Sequence, residues 1–283
     1  MGTGPDLTLV QLTDSHLLPE GALMHDVVDT AANLVAALEM IERSDLPVAA
    51  LLLTGDLADN GAASAYRRLR EVVEPAARRL GAEVVYTMGN HDERATFRTE
   101  VLGAEPSTAE YNTVTMVGGL RIVSLDSSEP GQHDGHLSAE QLDWLGDVLA
   151  TPAPRGTVLV CHHPPLPSPV PTVHLLRLRE AERLARVVKG SDVRFVVTGH
   201  AHHAGCGALD GIPVWVGPAL AYGVAAVPPK GRLRARADAA FSRIDVFGDQ
   251  VVATAVPLSR AEGVYDVAAA ERVRLVREVV GAW

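Results

Sequence analysis

Cysteine is almost missing from this 283-residue chain: Cys161 and Cys206 are the only two, and they lie far apart. That excludes a disulfide framework and makes a reducing cytosol the expected setting. Basic residues are in deficit, 25 against 35 acidic ones, for a net charge of −10. A long polyanion is therefore not an expected partner, since nucleic-acid binders show a basic face. Small anions stay open, because local cations reverse the field inside a cleft. No window holds the ~20 uninterrupted apolar residues that a membrane span needs, so membrane contact is not expected. The N-terminal "MGTGPDLTLVQLTD" has no basic region followed by an apolar one, and no leader peptide is expected. Repeats and low-complexity tracts are absent too.

What the chain does have is an ordinary globular composition, 47% hydrophobic and 21% charged, and enough length for a sizeable core. Short apolar runs alternate with helical periodicity. "LTLVQLTD" reads as a strand closing at Asp14, and "VAALLLTGD" as one closing at Asp56. "EVVYTMGNHD", "LRIVSLDSS", "GTVLVCHHPP" and "VRFVVTGHAHH" follow as further strands. Between them, Leu34, Leu38 and Ile41 mark a helix over 33–43. A second helix over 64–80 stops at Gly81, with Pro75 expected to kink or split it. Ser138 and Gln141 form a capping box that opens a helix through Leu149. "IPVWVG", "FSRIDVFG" and "QVVATAVPL" look like antiparallel strands, residues 227–240 like a surface segment, and 268–280 like a closing helix. The reading is α/β, in one domain covering the chain, with strands stacked between helices.

Chemistry-bearing residues recur where the apolar runs end: Asp14 and His16, Asp56, Asn90 and His91, His162 and His163, then His200, His202 and His203. Ligands of open α/β sheets bind beyond the carboxyl ends of the strands. One such histidine is explained by core packing. Five strand ends are not, because each buried polar group without a partner costs roughly 1–3 kcal/mol. Carboxylates, imidazoles and one amide, with no thiolate required, suit borderline or hard divalent metals. The candidates exceed the needs of a single four-coordinate ion. Two ions sharing a carboxylate fit the number, and such pairs serve hydrolysis of phosphate esters or amides.

"DSH" at 14–16, "GDLADN" at 55–60, "GNHD" at 89–92, "CHHPP" at 161–165 and "GHAH" at 199–202 resemble, in order and spacing, the calcineurin-like metallophosphoesterases. The resemblance spans 13–203. "TGDLADNGAASAYRRLREVVEPAARRLGAEVVYTMGNHDERA", "LDSSEPGQHDGHLSAEQLDWL" and "HHPPLPSPV" look most like the bacterial class III cyclic nucleotide phosphodiesterases. The implied fold is a four-layer αββα sandwich with two mixed β-sheets, the strands over 211–258 fitting the second sheet. The implied cofactors are two divalent metal ions (Mn, Fe or Zn), with Asp14, His16 and His202 on the first, Asn90, His162 and His200 on the second, and Asp56 bridging. The nucleophile would be water or hydroxide held by the metals. His91 would be the catalytic group, stabilising charge or protonating the leaving alkoxide, and Asn90, His91 and His133 would meet the substrate. Asp92 would orient His91 or cap the next helix. Asp59 and Asn60 would hold ligand imidazoles or form a plain turn. His163 would pack beside the ligands, and His203 is outside the ligand set. A homodimer rests on the resemblance alone.

The function implied is hydrolysis of a cyclic nucleotide of the cAMP type, 3′,5′ or 2′,3′. A broad metallophosphodiesterase, acting on glycerophosphodiesters or other small phosphodiesters, would share the same metal centre. A non-catalytic metal-binding scaffold is the reading from a different class; the presence of all seven ligand positions and His91 speaks against it.

Overall fold

The apolar runs become strands whose residues are buried in both phases of the two-residue alternation, an arrangement that requires a covering layer on each side. The computed structural model describes residues 4–258 and 264–280 and shows two large sheets. In the first, β1 (Leu7–Leu12), β2 (Val48–Thr54) and β3 (Glu83–Thr87) run parallel. β12 (Ala240–Phe247) and β13 (Gln250–Pro257) extend it antiparallel on the β1 side. In the second, β5 (Leu120–Leu125), β6 (Thr157–Cys161), β7 (Val193–Thr198) and β9 (Ile212–Val216) are parallel. Its edges are the antiparallel β4 (Thr113–Val117) and β8 (Gly205–Leu209). The expectation that the strands over 211–258 belong together in one sheet is corrected: β9 joins the second, but β12 pairs with β1 and takes β13 into the first.

Alternation assigns each residue to a layer. Leu9, Ala50 and Leu52 of the first sheet meet Ile122, Val158, Val160 and Val197 of the second in one apolar cluster. Their sequence neighbours Val10, Leu51 and Leu53 face the opposite way, onto α1 (Thr30–Arg43) and α2 (Ala63–Leu80). Leu159 and Cys161 do the same on the second sheet, against α4 (Ala139–Leu149) and α6 (Ala181–Val188). Helix, sheet, sheet and helix thus form the four layers. Asp29 caps α1, which begins at Thr30, three residues ahead of the expected start. α2 is not split at Pro75 and ends at Gly81, whose φ of 67° a glycine adopts freely. Ser138 and Gln141 make the expected capping box.

Three smaller elements complete the description. α3 (Arg94–Glu100) follows the third candidate motif. α5 (Pro171–Leu175) and the two-stranded ribbon of β10 (Gly223–Val224) and β11 (Ala235–Arg236) lie beyond the second sheet's carboxyl ends. α7 (Ala269–Val280) closes the chain and is exposed where its side chains are described. No helix among the described residues is long and apolar enough to cross a membrane.

Candidate metal centre

Polar residues collect where β1, β2, β3, β6 and β7 end, so both sheets contribute to one site at their shared rim. The turns are sharp. Asp14, His16, Asp56, His200 and His202 all take positive φ, between 42° and 67°. Left-handed backbone costs about 1–2 kcal/mol for a residue with a Cβ, so five neighbouring instances signal a shape held for a purpose. Glycines make room: a Cβ on Gly55 would strike the His162 ring, and one on Gly89 would strike Asp56.

The expected ligands converge. Ligand atoms of Asp14, His16 and His202 lie within 4.8 Å of one another, as do those of Asp14, Asp56 and His162. Asp56 Oδ2 is 3.4 Å from His16 Nε2 and 3.2 Å from His162 Nε2, so one carboxylate reaches both halves of the cluster. Asn90 Oδ1 is 3.0 Å from His200 Nδ1. His163 also enters, sharing a 4.8 Å group with His162 and His200. His133 stays at the rim, 3.4 Å from the Asn90 amide nitrogen. His203 does not join; its Nε2 is 3.3 Å from Ser168 Oγ.

The tautomers follow from the partners. His162 Nδ1 faces the Thr54 carbonyl at 2.9 Å, and His202 Nδ1 the Tyr222 carbonyl at 2.9 Å. A carbonyl only accepts, so each Nδ1 carries the proton and each Nε2 presents a lone pair. His16 is set the same way by the Asp59 carboxylate at 3.1 Å. Holding the far nitrogen is how proteins orient imidazole ligands. His16 Nε2 and His202 Nε2 then oppose each other at 3.1 Å, and the buried His162 Nε2 has only the Asp56 carboxylate nearby, at 3.2 Å. Lone pairs so placed need a cation or a proton between them.

Without a metal, protons fill the gap. Burial acts to lower His162, but Asp56 and Asp14 outweigh it and raise the imidazole to about 9. His16 is raised as well, burial again being overcome by Asp59, Asp56 and Asp14. Burial and the charge of His162 push His200 down to about 3, and burial takes His202 to about 4. Asp56 is held well below its usual range: burial opposes this, and His162 overcomes it. The pocket above these groups, about 220 Å³, is lined by no lysine or arginine among the described residues. An anionic ligand there would meet carboxylates unless a divalent cation intervened. Charge, lone pairs and donor types therefore fit metal ions.

His91 lies against the cluster, with a ligand atom within 4.8 Å of those of His16 and Asp56. Its Nδ1 donates to the Asp59 carbonyl at 2.6 Å, and its backbone N–H to Asp56 Oδ1 at 3.0 Å. Nε2 is the nitrogen left for the pocket, which His91 lines. Asp92 neither orients His91 nor caps α3, correcting both expectations. Glu93 caps that helix. The Asp92 carboxylate instead accepts from the backbone N–H groups of Leu57, Ala58 and Gly89 and from the Tyr66 hydroxyl, tying two site loops together. Burial and Asp56 raise it to about 6. Sequence reasoning missed this clamp, the carbonyl supports at Thr54 and Tyr222, and the Tyr222 ring, whose centroid is 4.3 Å from that of His202. A carbonyl has no residue signature, and Tyr222 lies outside every motif.

A family model for calcineurin-like phosphoesterases matches residues 7–204. A cAMP/cGMP dual specificity phosphodiesterase of Mycobacterium tuberculosis is 42% identical over 92% of this chain and 82% of its own length. A 3′,5′-cyclic adenosine monophosphate phosphodiesterase of Pseudomonas aeruginosa is 31% identical over 71% of each. A dimetal phosphatase from Danio rerio shares the fold, with a TM-score of 0.62 at 16% identity over 90% of this chain and 97% of that one. From the ordered motifs, the four layers and these matches, the chain belongs to the calcineurin-like phosphoesterase family.

Proposed function

We propose that this chain is a dinuclear-metal phosphodiesterase that hydrolyses cyclic nucleotides of the cAMP type. The observation that carries the proposal is the Asp56 carboxylate, with one oxygen within 3.4 Å of His16 Nε2 and 3.2 Å of His162 Nε2. Asp14, His16 and His202 would hold one ion and Asn90, His162 and His200 another, with Asp56 within reach of both sets of residues. Two divalent cations would supply Lewis-acid polarisation of the phosphoryl oxygens and a nucleophilic water at neutral pH. The names of the relatives support cyclic nucleotides as substrate class.

The chain's own residues then divide the work. Water gives one proton to solvent and adds its oxygen to phosphorus as the bond to one ester oxygen breaks; the departing alkoxide takes a proton from His91 Nε2, which solvent then replaces. The Asp59 carbonyl fixes the ring by Nδ1. Asn90 and His133 flank the substrate space. The same proposal places the chain in the cytoplasm, supported by two unpaired cysteines, one buried and one exposed. It treats the chain as one domain, supported by the apolar cluster that the sheets share. A homodimer is an expectation of the family resemblance.

Turnover of 3′,5′-cAMP, 2′,3′-cAMP and bis-p-nitrophenyl phosphate by Mn²⁺-loaded protein tests the proposal, with Asn90→Ala and His91→Ala alongside. Cyclic-nucleotide hydrolysis lost in both variants is the expected result. Hydrolysis of the aryl diester alone would favour the broad phosphodiesterase, and no turnover with any metal would favour the scaffold.

A further inference from the structure

One side of the pocket differs from the metal cluster. Val173 of α5 and Leu176 just after it face Val224 of β10 and Leu233, which precedes β11. Leu176 is 36% and Leu233 60% exposed, so neither is a core residue. Large aliphatic side chains left open beside a polar site mark a place for an apolar ligand surface. The wall continues past Thr172 and Leu233 into a groove of about 430 Å³ that includes Pro169, Pro171, Pro228 and Pro229. Prolines fix φ on both sides, so the groove is largely formed before anything binds.

We infer that this aliphatic wall seats the nucleobase of the substrate, with Leu176 and Leu233 as its two jaws. The inference rests on the cyclic-nucleotide reading above and adds what that reading lacks, the residues that hold the base. The occupant follows from continuity: the wall and the metal cluster line one pocket, so a ligand whose phosphodiester lies over the cluster extends along the wall. In a cyclic nucleotide the ribose spans the gap, and the base beyond it is the apolar group that reaches the wall.

The seat also sets the specificity. Aliphatic side chains offer no donors or acceptors to a base edge. On the wall itself Thr172 supplies one hydroxyl, which donates or accepts as required, while Lys230 and Arg232 line the groove beyond it. A base held by the wall alone has its adenine or guanine edge read almost alike, because apolar pockets separate ligands by only about 10–200-fold while built hydrogen-bond sites reach ~10⁴–10⁵. Purines bury more apolar surface than pyrimidines and are preferred.

The test uses the full-length Mn²⁺-loaded protein and its Leu233→Gln and Leu176→Gln variants, both neutral and both at exposed positions. KM and kcat are measured for 3′,5′-cAMP, 3′,5′-cGMP and 3′,5′-cCMP, together with the competitive Ki of inorganic phosphate, which has no base. Wild-type kcat/KM is expected to agree within about tenfold for cAMP and cGMP and to be lower for cCMP. Each variant is expected to raise KM for both purine substrates about tenfold, as lost apolar burial predicts, while phosphate Ki shifts less than threefold. Unchanged KM in both variants overturns the seat and leaves the metal centre standing. An equal rise in KM and phosphate Ki overturns it too, since the leucines would then act on the metal cluster. A change in sedimentation with unchanged KM assigns the wall to a protein contact instead. A wild-type protein that turns over no cyclic nucleotide sinks the seat together with the functional reading.

Discussion

His91 hangs from the Asp59 carbonyl by Nδ1 and from Asp56 by its backbone N–H, so its ring is placed by the same loop that carries the central carboxylate. Its role as acid is separable from metal binding. His91→Ala is expected to lower kcat by about 10²–10⁴ while metal content per chain, read by atomic absorption, stays at the wild-type value. Asp56→Asn is expected to lower both. His162 gives the metal-free protein a pH signature. Its folded pKa of about 9 lies above the ordinary 6.5, so its stabilising contribution is complete below 6.5 and is lost as pH rises through about 9. Thermal melts of metal-free protein should show Tm falling across pH 6.5–9. A Tm that rises over that window would contradict the raised value. The seven expected ligand positions could be named from the sequence, because each follows an apolar run and carries a metal-binding side chain, and the fold brings them together at one rim. Asp92 was not: the same carboxylate fits a cap, a ring support or a loop clamp, and only the positions of Leu57, Ala58 and Gly89 decide.

At the scale of elements, the site depends on glycines at strand ends that bring backbone close to ligands. Gly89→Ala would push a methyl into Asp56, displacing the carboxylate on which both halves of the cluster rely. Metal content and activity are expected to fall together, the latter by at least ~10²-fold, judged against what small misplacements at active sites cost. Gly146 in α4 is the contrast, with nothing near its missing Cβ. Gly146→Ala should keep full activity and stabilise the fold by about 0.5–1 kcal/mol in urea melts. The strands themselves were readable, since a run such as "VAALLLT" is apolar in both phases. Their sheet membership was less so. "FSRIDVF" says strand, but its pairing with β1 sets Ile244 beside Leu9 and Val246 beside Leu7, partners more than 200 residues apart in sequence. Of the two outcomes expected at Pro75, splitting does not occur: it sits within the continuous α2.

Over the whole molecule, two sheets of different connectivity place five strand ends around one pocket, and the apolar cluster between the sheets holds their separation. Metal is then a stabiliser as well as a reagent. A ligand bound only by the folded state at 100 times its Kd adds about 2.7 kcal/mol, so EDTA should lower Tm by about 5–10 °C, reversibly with Mn²⁺. The four-layer architecture was foreseen from the family resemblance, whereas the pocket's aliphatic side was not, because α5 and the ribbon approach each other only in the folded chain. Calorimetric titration of Mn²⁺ into metal-free protein, with cAMP turnover followed at each addition, tests the central claim most directly. Two ions per chain, with turnover reaching its full value only as the second binds, is the predicted result. Full turnover with one ion per chain, or saturation of two sites with no turnover, would contradict it.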